Sequence, residues 1–395
     1  MEPQDLTIPL RQIINVVTLT QSMIFAAFFL GRPARTHLST WFLVAAFLVM
    51  ATVKGDQLYQ MLDGFEHYPQ YGFVLAPIQA AMTPVLYLFV VARTTQHFML
   101  RRGHLWHLTP LVVMTLYLTA IYYRLDISEK VALIESDGLN TPLNRLFVPL
   151  LSDAVQLCYL LAAYTRLQSF GVTLRNWFAQ VEDRDLVWMK RLLTIWGCVF
   201  VFHAAMTLSA ILIDTRAVAS AAFAFLDVFH LVFVNLLALL GAADLERRVS
   251  GHRALPPAPT ARYSGSAMTP ADRAALYRKA ENAMAGKALY LQPDLTLSDL
   301  ARDIAAAPRD VSEAINGAGG QSFYDFVNAA RIGHAKSLLV EELDTRVLDI
   351  AFQAGFNSKS TFNDAFKKTV GVTPTEFRRA HSSSPQGGPS GAKSA

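Results

Sequence analysis

The chain has 395 residues, of which 52% are hydrophobic and 17% are charged, with a formal net charge of +4 that identifies no partner by itself. Soluble domains carry about 25% charged residues, so this deficit excludes a wholly soluble protein and indicates membrane segments. Two cysteines exclude a disulfide framework, and because Cys158 and Cys198 lie in apolar runs we expect both to be small buried residues.

The first part of the chain, residues 1–243, contains seven apolar stretches that are long enough to cross a membrane. They lie at about 11–31, 38–61, 71–92, 105–124, 146–167, 192–213 and 217–241. Seven such stretches in series argue against the alternative that each is a buried helix of a soluble core. The second stretch ends near Lys54, which we expect at a membrane face or in an internal pair. The sequence therefore predicts a seven-helix transmembrane domain.

Ionisable residues lie deep within the later spans, where they are costly and usually face the interior of a helix bundle. They are Asp153, His203, Asp227 and His230, and the last two share one helix face because they are three residues apart. One interpretation is a set of hydrogen bonds that fixes helix packing. The other is a polar pocket, open to the outer side, that binds a small-molecule signal. No tight ligand-spacing motif is present, so we predict neither a metal nor another cofactor.

Basic residues concentrate in alternate loops between the spans, and acidic residues occupy the other loops. The basic set is Arg32, Arg35, Arg93, Arg101, Arg102, Arg166, Arg175, Arg184, Lys190 and Arg191. The positive-inside rule places these loops in the cytoplasm, with the N-terminus outside and the C-terminal part inside. Aromatic residues near the span ends, Trp41, Trp106, Trp177 and Trp188 among them, are typical of interfacial anchors.

Residues 244–269 are rich in Pro, Ser and Gly and predict a flexible linker. About 25 residues of this composition have a root-mean-square span of roughly 25–30 Å, so we expect the linker to transmit little torque. The tail, residues 382–395, has low complexity and is predicted to be disordered.

The pattern in Val347–Arg379 predicts two short helices around a sharp turn at Gly355. Asn357 or Ser358 can cap the second helix, which buries Phe362 and Phe366. A helix, a tight turn and a second helix form the geometry that inserts one helix into a DNA major groove. The candidate DNA-binding residues are Ser358, Lys359, Ser360, Asn363, Asp364, Lys367 and Lys368, with the last two directed to phosphates.

The same pattern occurs earlier, in Leu297–Asn316, where the candidate DNA-binding residues are Arg309, Ser312 and Asn316. We expect this first module to make fewer backbone contacts, because Asp310 and Glu313 repel phosphates. Between the modules, apolar residues at helical spacing predict a connector over Ser322–Leu343. Such a helix is about 30 Å long, close to one turn of B-DNA, so it can hold two reading helices over successive grooves.

Taken in register, these motifs resemble the AraC/XylS family of bacterial transcription regulators over about residues 270–381. The matching segments are Tyr290–Leu297, Gln321–Phe323, Arg331 with Ala335 and Lys336, Ile350–Ala351, Gly355–Phe356 and Gly371–Pro374. The resemblance implies a seven-helix domain with two helix-turn-helix units, binding to promoter DNA at paired or repeated sites, and contact with RNA polymerase. It also implies that Arg331 is structural. Ala305 and Ala307 stand where the family has a turn glycine and a capping serine, at a cost of about 1 kcal/mol each.

The sequence thus predicts an all-α protein: a membrane-bound, sequence-specific transcription regulator in the bacterial inner membrane, and it leaves both activation (an activator) and repression open. The membrane domain either senses a signal or only anchors the protein in the membrane. The sequence does not decide whether the protein forms a homodimer. No catalytic motif is present, so we predict no enzymatic activity. The alternative is a seven-span transporter or membrane enzyme whose soluble tail serves assembly. This alternative stays open because residues 268–381 contain 14 basic and 14 acidic residues, so the domain lacks the net positive charge that is typical of DNA-binding domains.

Overall fold

The computed structural model describes residues 3–32, 37–139, 141, 143–181, 186–212, 216–249 and 268–382. These residues are predominantly α-helical, and the one β-bridge among them is the isolated antiparallel pair of Phe178 and Thr296. The predicted all-α fold is therefore confirmed. The chain divides into two compact units, which are described separately: residues 1–170 with 186–255, and residues 171–185 with 256–395.

The first unit is built from long apolar helices with short helical turns between them. Its helices are α1 (Pro3–Leu30), α2 (Leu38–Met61), α3 (Gly64–His67), α4 (Ala76–Gln79), α5 (Met82–Thr94), α6 (Thr109–Leu118), α7 (Ile127–Glu135), α8 (Val148–Trp177), α9 (Val187–Leu212) and α10 (Arg216–Val249). The last residues of α8, from Gly171, belong to the second unit.

Seven helical segments within the described ranges are long and apolar enough to cross a membrane. They are Leu10–Leu30, Leu38–Met61, Pro69–Thr94, Arg102–Tyr123, Val148–Trp177, Val187–Met206 and Phe223–Arg247. Their number and order confirm the seven predicted apolar helices. The predicted linker begins inside α10, which ends at Val249, and residues 250–267 of the linker lie outside the described residues. The predicted tail, from residue 383 onward, does so too.

The core of the first unit lies where α2 packs against α1 and α5, with α10 beside α1. Phe29 stacks on Phe47 with ring centroids 5.7 Å apart, and both rings are buried. The buried ion pair of Arg93 with Asp244 joins α5 to α10. Cys158 and Cys198 are exposed free thiols, so the expectation that they are buried is wrong. Their apolar neighbours in sequence reflect helix faces that this structure leaves uncovered.

The second unit contains α11 (Pro270–Gly286), α12 (Leu297–Asp303), α13 (Pro308–Gly317), α14 (Phe323–Glu341), α15 (Val347–Gln353), α16 (Lys359–Val370) and α17 (Pro374–Ser382). The seven helices agree with what the resemblance implies. Two apolar clusters support them, one around Leu300, Val311 and Phe323, and the other around Ile350, Phe362 and Phe366. The connector α14 contributes to both clusters, so it holds the two helix-turn-helix modules on one scaffold.

Candidate nucleic-acid interface and cavity

The first helix-turn-helix module (α12, its turn and α13) makes its turn without glycine. Ala305 has φ 48°, a left-handed conformation that is unfavourable for a residue with a Cβ atom. Ala307 occupies the N-cap position of α13 and provides no side-chain hydrogen bond, while Pro308 fills the first helical position. Both departures from the family pattern therefore lie where they carry a conformational cost.

The second module (α15, its turn and α16) has the favourable residues at the same places. Gly355 has φ 90°, and a Cβ atom there would lie 2.5 Å from the carbonyl oxygen of Tyr290. Of the two candidate caps, Ser358 holds the N-cap position, and its hydroxyl accepts a hydrogen bond from the Thr361 amide at 3.2 Å. Because that oxygen caps the helix end, Ser358 positions α16.

Arg331 on α14 contacts both the segment that precedes α12 and the turn of the second module. Its side chain is fully buried and donates to the carbonyl oxygens of Tyr290 and Gln292 at 2.8 Å each. Its guanidinium also lies 5.5 Å from the ring centroid of Phe356, in the turn of the second module. A buried arginine with all these partners has a structural role, as the resemblance implies.

Most of the predicted DNA-binding side chains lie on the surface of the two second helices. Those with exposed side chains are Arg309, Lys359, Ser360, Asp364, Lys367 and Lys368, and those of Asn316 and Asn363 are half-buried. Ser312 is only 6% exposed, and the Asn316 amide donates to its carbonyl oxygen at 2.8 Å. The structure thus brings the second-module residues together on one exposed helix face, while Ser312 presents little surface to a duplex.

Two acidic side chains near this surface are neutralised by partners that the sequence analysis did not identify. Glu313 is buried, and the Arg273 side chain on α11 lies 3.5 Å from its carboxylate, so Glu313 does not face outward. Asp325 on α14 pairs with Lys368 at 2.6 Å. Partial burial opposes ionisation of Asp325, but the hydrogen bonds from Lys368 and Ser322 outweigh it and lower the pKa of this carboxyl group.

The first unit contains a cavity of about 640 Å³ whose wall is mainly apolar. Its polar lining includes Gln57, Gln79, Tyr117, Gln156, His203 and His230. Of the predicted pocket residues, His203 and His230 therefore line one cavity. Asp153 follows the lining residue Ser152, and its carboxylate lies 3.8 Å from Nδ1 of His203. The Nε2 atom of Gln79 is buried and has no hydrogen-bond partner within the part of the chain that the structure describes.

Asp227 is fully buried and belongs to an ion-pair network. Its two carboxylate oxygens lie 2.9 Å from Nε of Arg11 and 2.9 Å from Nζ of Lys54. Lys54 also lies 2.8 Å from Oε1 of Gln57 and 3.3 Å from Nδ1 of His230. Asp227 and His230 therefore share a helix face, as predicted. Of the two environments expected for Lys54, the structure shows the internal ion pair, with Asp227. Sequence reasoning missed Arg11, whose only signal was a charge at the start of an apolar stretch.

No group of three or more His, Cys, Asp or Glu side chains that could hold a metal ion occurs among the described residues.

Comparisons with known proteins concern the C-terminal part of the chain. Residues 300–380 match the family model of a helix-turn-helix domain. An uncharacterised HTH-type transcriptional regulator of Staphylococcus aureus (strain COL) is 34% identical over 90 residues, which are 23% of this chain and 12% of that protein. The melibiose operon regulatory protein of Escherichia coli (strain K12) is 43% identical over 54 residues, 14% of this chain and 18% of that protein.

Among solved structures, the C-terminal domain of AraT, a response regulator from Geobacillus stearothermophilus, is 29% identical. The match covers 29% of this chain and 88% of that chain, with a TM-score of 0.25. The regulators of Staphylococcus aureus and Escherichia coli are matched over only 12% and 18% of their own lengths, so the similarity to them concerns one domain.

The fold, the two modules and the matched region define a DNA-binding helix-turn-helix domain of the class found in transcription regulators. More narrowly, this C-terminal domain is of the AraC type.

Proposed function

We propose that this protein is a membrane-anchored transcription regulator that binds promoter DNA through α13 and α16. The observation that carries the proposal is the exposed face of α16, which presents Lys359, Ser360, Asp364 and Lys367. The turn before this helix and its N-cap residue fix where the helix begins. Short polar and basic side chains at the start of a recognition helix can reach base edges and phosphates. Contact with RNA polymerase and action as a homodimer on paired sites belong to the same proposal.

Membrane insertion is supported by large apolar side chains on outward helix faces of the first unit. Leu116, Val201 and Leu239 are 64%, 64% and 67% exposed, on three different helices. Such surfaces are unfavourable in water and suited to lipid acyl chains. With the basic loops inside, the N-terminus lies outside and the DNA-binding domain lies in the cytoplasm.

The cavity is the proposed signal site, and its wall indicates the chemistry of the ligand. An ammonium group only donates hydrogen bonds, so Nδ1 of His230 accepts from Lys54 and Nε2 carries the ring hydrogen. The Gln79 amide nitrogen is a second donor without a partner among the described residues. Two donors in an apolar cavity favour an uncharged, mainly apolar small molecule that carries a hydrogen-bond acceptor such as a ketone or ester oxygen.

DNA binding is tested with the full chain in lipid nanodiscs. Duplexes are selected from a random library, and the affinity of the winning sequence is compared with that of a scrambled duplex. The proposal expects enrichment of a defined motif and a steep loss of affinity with salt. Failure to enrich any motif favours the alternative in which the soluble domain serves assembly.

Topology is tested by fusing a fluorescent protein that folds in the cytoplasm, or alkaline phosphatase that is active outside it, to the C-terminus. Fluorescence with an inactive phosphatase is the expected result. The opposite result contradicts both the orientation and any contact with the chromosome.

Ligand binding is tested with a medium-chain methyl ketone and the alkane of equal length. Trp196 lines the cavity, so the ketone should change its fluorescence in nanodiscs, and the change should weaken in Gln79→Leu. The Trp196→Phe variant identifies the reporting residue. Equal responses to ketone and alkane indicate partition into lipid and contradict the proposed site.

A further inference from the structure

A short stretch between predicted spans five and six belongs to the DNA-binding unit. Residues 171–181 cluster with the described residues of 268–382, although some 90 residues of sequence separate the two stretches. Sequence reasoning assigned this stretch only a basic loop and an interfacial tryptophan. In the structure, α8 ends at Trp177, and the chain then runs in non-helical conformation past Gln180.

This stretch is joined to the first module through backbone and apolar contacts. The Ala179 amide donates to the carbonyl oxygen of Leu295 at 3.1 Å, and Phe178 forms an antiparallel bridge with Thr296. Thr296 is the N-cap of α12, so the contact lies at the start of the module. Ala179 is fully buried within the apolar cluster of this module, and Trp177 packs against the same cluster. The prediction that Trp177 is an interfacial anchor is therefore wrong.

The same stretch also reaches the second module and the connector. The Asn357 amide donates to Oε1 of Gln180 at 2.5 Å, and Asn357 immediately precedes the N-cap of α16. The Arg175 guanidinium lies 5.8 Å from the ring centroid of Tyr324 on α14. Gln180 is only 7% exposed whereas Asn357 is exposed, so their hydrogen bond is partly buried.

We infer that Arg175–Gln180 is a brace that joins the two helix-turn-helix modules and controls DNA binding. Phe178 and Ala179 contact the start of α12, and the next residue, Gln180, contacts Asn357 at the start of α16, so docking constrains the two reading helices relative to each other. A duplex with sites in successive grooves requires one fixed arrangement of the two reading helices. When the brace is docked, the two helices already have this arrangement before DNA binds. When it is undocked, binding must also order them, which lowers the affinity.

The brace begins inside α8, whose last residues are Arg175–Trp177, so a single helix contributes to both units. Residues Leu151, Val155 and Gln156 of α8 line the cavity of the first unit. A ligand that changes the position of α8 therefore acts on a helix that leads, without a break, into the brace. The flexible linker predicted over 244–269 is not needed for this route. The inference rests on the proposed function, because it requires that the unit binds DNA.

The test uses the full chain in nanodiscs with the selected duplex. Ala179→Arg places a long charged side chain at a fully buried position and should undock the brace. Val172→Arg introduces the same side chain at a position that is 62% exposed and serves as the matched control. Hydrogen exchange of a peptide covering residues 172–181 reports docking, and exchange of α14 reports whether the unit stays folded.

We expect Ala179→Arg to accelerate exchange in residues 172–181 and to weaken DNA binding about tenfold, a typical magnitude for coupling between sites. The control should change neither. If Ala179→Arg also exposes α14, then Gln180→Ala, which removes the side chain that accepts from Asn357, replaces it, with a smaller loss of affinity in the same direction.

Two results overturn the brace while leaving the proposed function intact. One is rapid exchange of residues 172–181 in the wild-type chain, which means that the stretch is undocked. The other is unchanged DNA affinity in a variant whose brace is undocked and whose α14 stays protected. If the wild-type chain binds no DNA, the proposed function fails together with the brace's role.

Discussion

The two helix-turn-helix modules have the same architecture and obtain it in different ways. The second module has glycine at its left-handed turn and serine at its N-cap, whereas the first has Ala305 and Ala307 at those places. The first compensates with tertiary contacts: Glu313 pairs with Arg273, and the brace packs beside α12. The difference shows that a module can keep its shape without favourable local residues when the surrounding core holds it.

The largest expected effect is a loss of stability on replacing the turn glycine of the second module. Gly355→Ala should destabilise the unit by about 3 kcal/mol, because a left-handed alanine is strained and its Cβ atom meets the Tyr290 carbonyl oxygen. Gly371 has φ 88°, but a Cβ atom there would meet no other atom within 4 Å, so Gly371→Ala should cost only about 1 kcal/mol. Thermal unfolding of the second unit, followed by hydrogen exchange of α14, measures both. Equal losses would mean that strain alone matters.

The next effect compares the DNA surfaces of the modules. Replacing Lys367 and Lys368 together by alanine should reduce the slope of log affinity against log salt by about 0.9 for each phosphate that is no longer neutralised. Arg309→Ala, the corresponding change in the first module, should reduce the slope by the equivalent of no more than one phosphate. The slopes are measured by fluorescence anisotropy on the selected duplex. An unchanged slope in the double variant contradicts the assignment of these lysines to phosphates.

Improving the first module should bring it closer to the second. Ala307→Ser supplies the missing N-cap and should stabilise the unit by about 1 kcal/mol. Ala305→Gly relieves the left-handed conformation and should add roughly 0.5–1 kcal/mol. Melting temperatures of the single and double variants test whether the two stabilising effects are additive. A loss of stability in Ala307→Ser would show that the present α13 start depends on a contact other than the cap.

The smallest effect concerns the ion pair between Asp325 and Lys368. The folded state lowers the pKa of Asp325, so the pair stabilises the unit above the carboxyl group's ordinary pKa, and this contribution disappears as the pH falls through the lowered value. Both side chains are partly exposed, so we expect less than about 1 kcal/mol. Asp325→Asn should remove this part of the acid dependence. If the dependence persists, another carboxyl group is responsible.

Local sequence signals predicted the elements of this protein well. The apolar stretches identify the seven long helices, and the left-handed turns at Ala305 and Gly355 are both found where the motif places them. The candidate DNA-binding residues of α16 are exposed together, because a periodic pattern determines which face a helix buries. Ser312 on α13 was also predicted to bind DNA, but it is buried. It lies at the edge of the apolar pattern of its own helix, so its exposure depends on the packing around it.

What the sequence alone determined is therefore the list of helices, their order and the faces that they bury, since each depends on neighbours within a few residues. Only the tertiary structure decided which distant side chains meet: Arg11 and Lys54 with Asp227, Arg273 with Glu313, and Gln180 with Asn357. Such contacts join residues tens to hundreds of positions apart and leave no periodic trace. The brace is one of them, because its burial depends on a partner surface that is distant in the sequence.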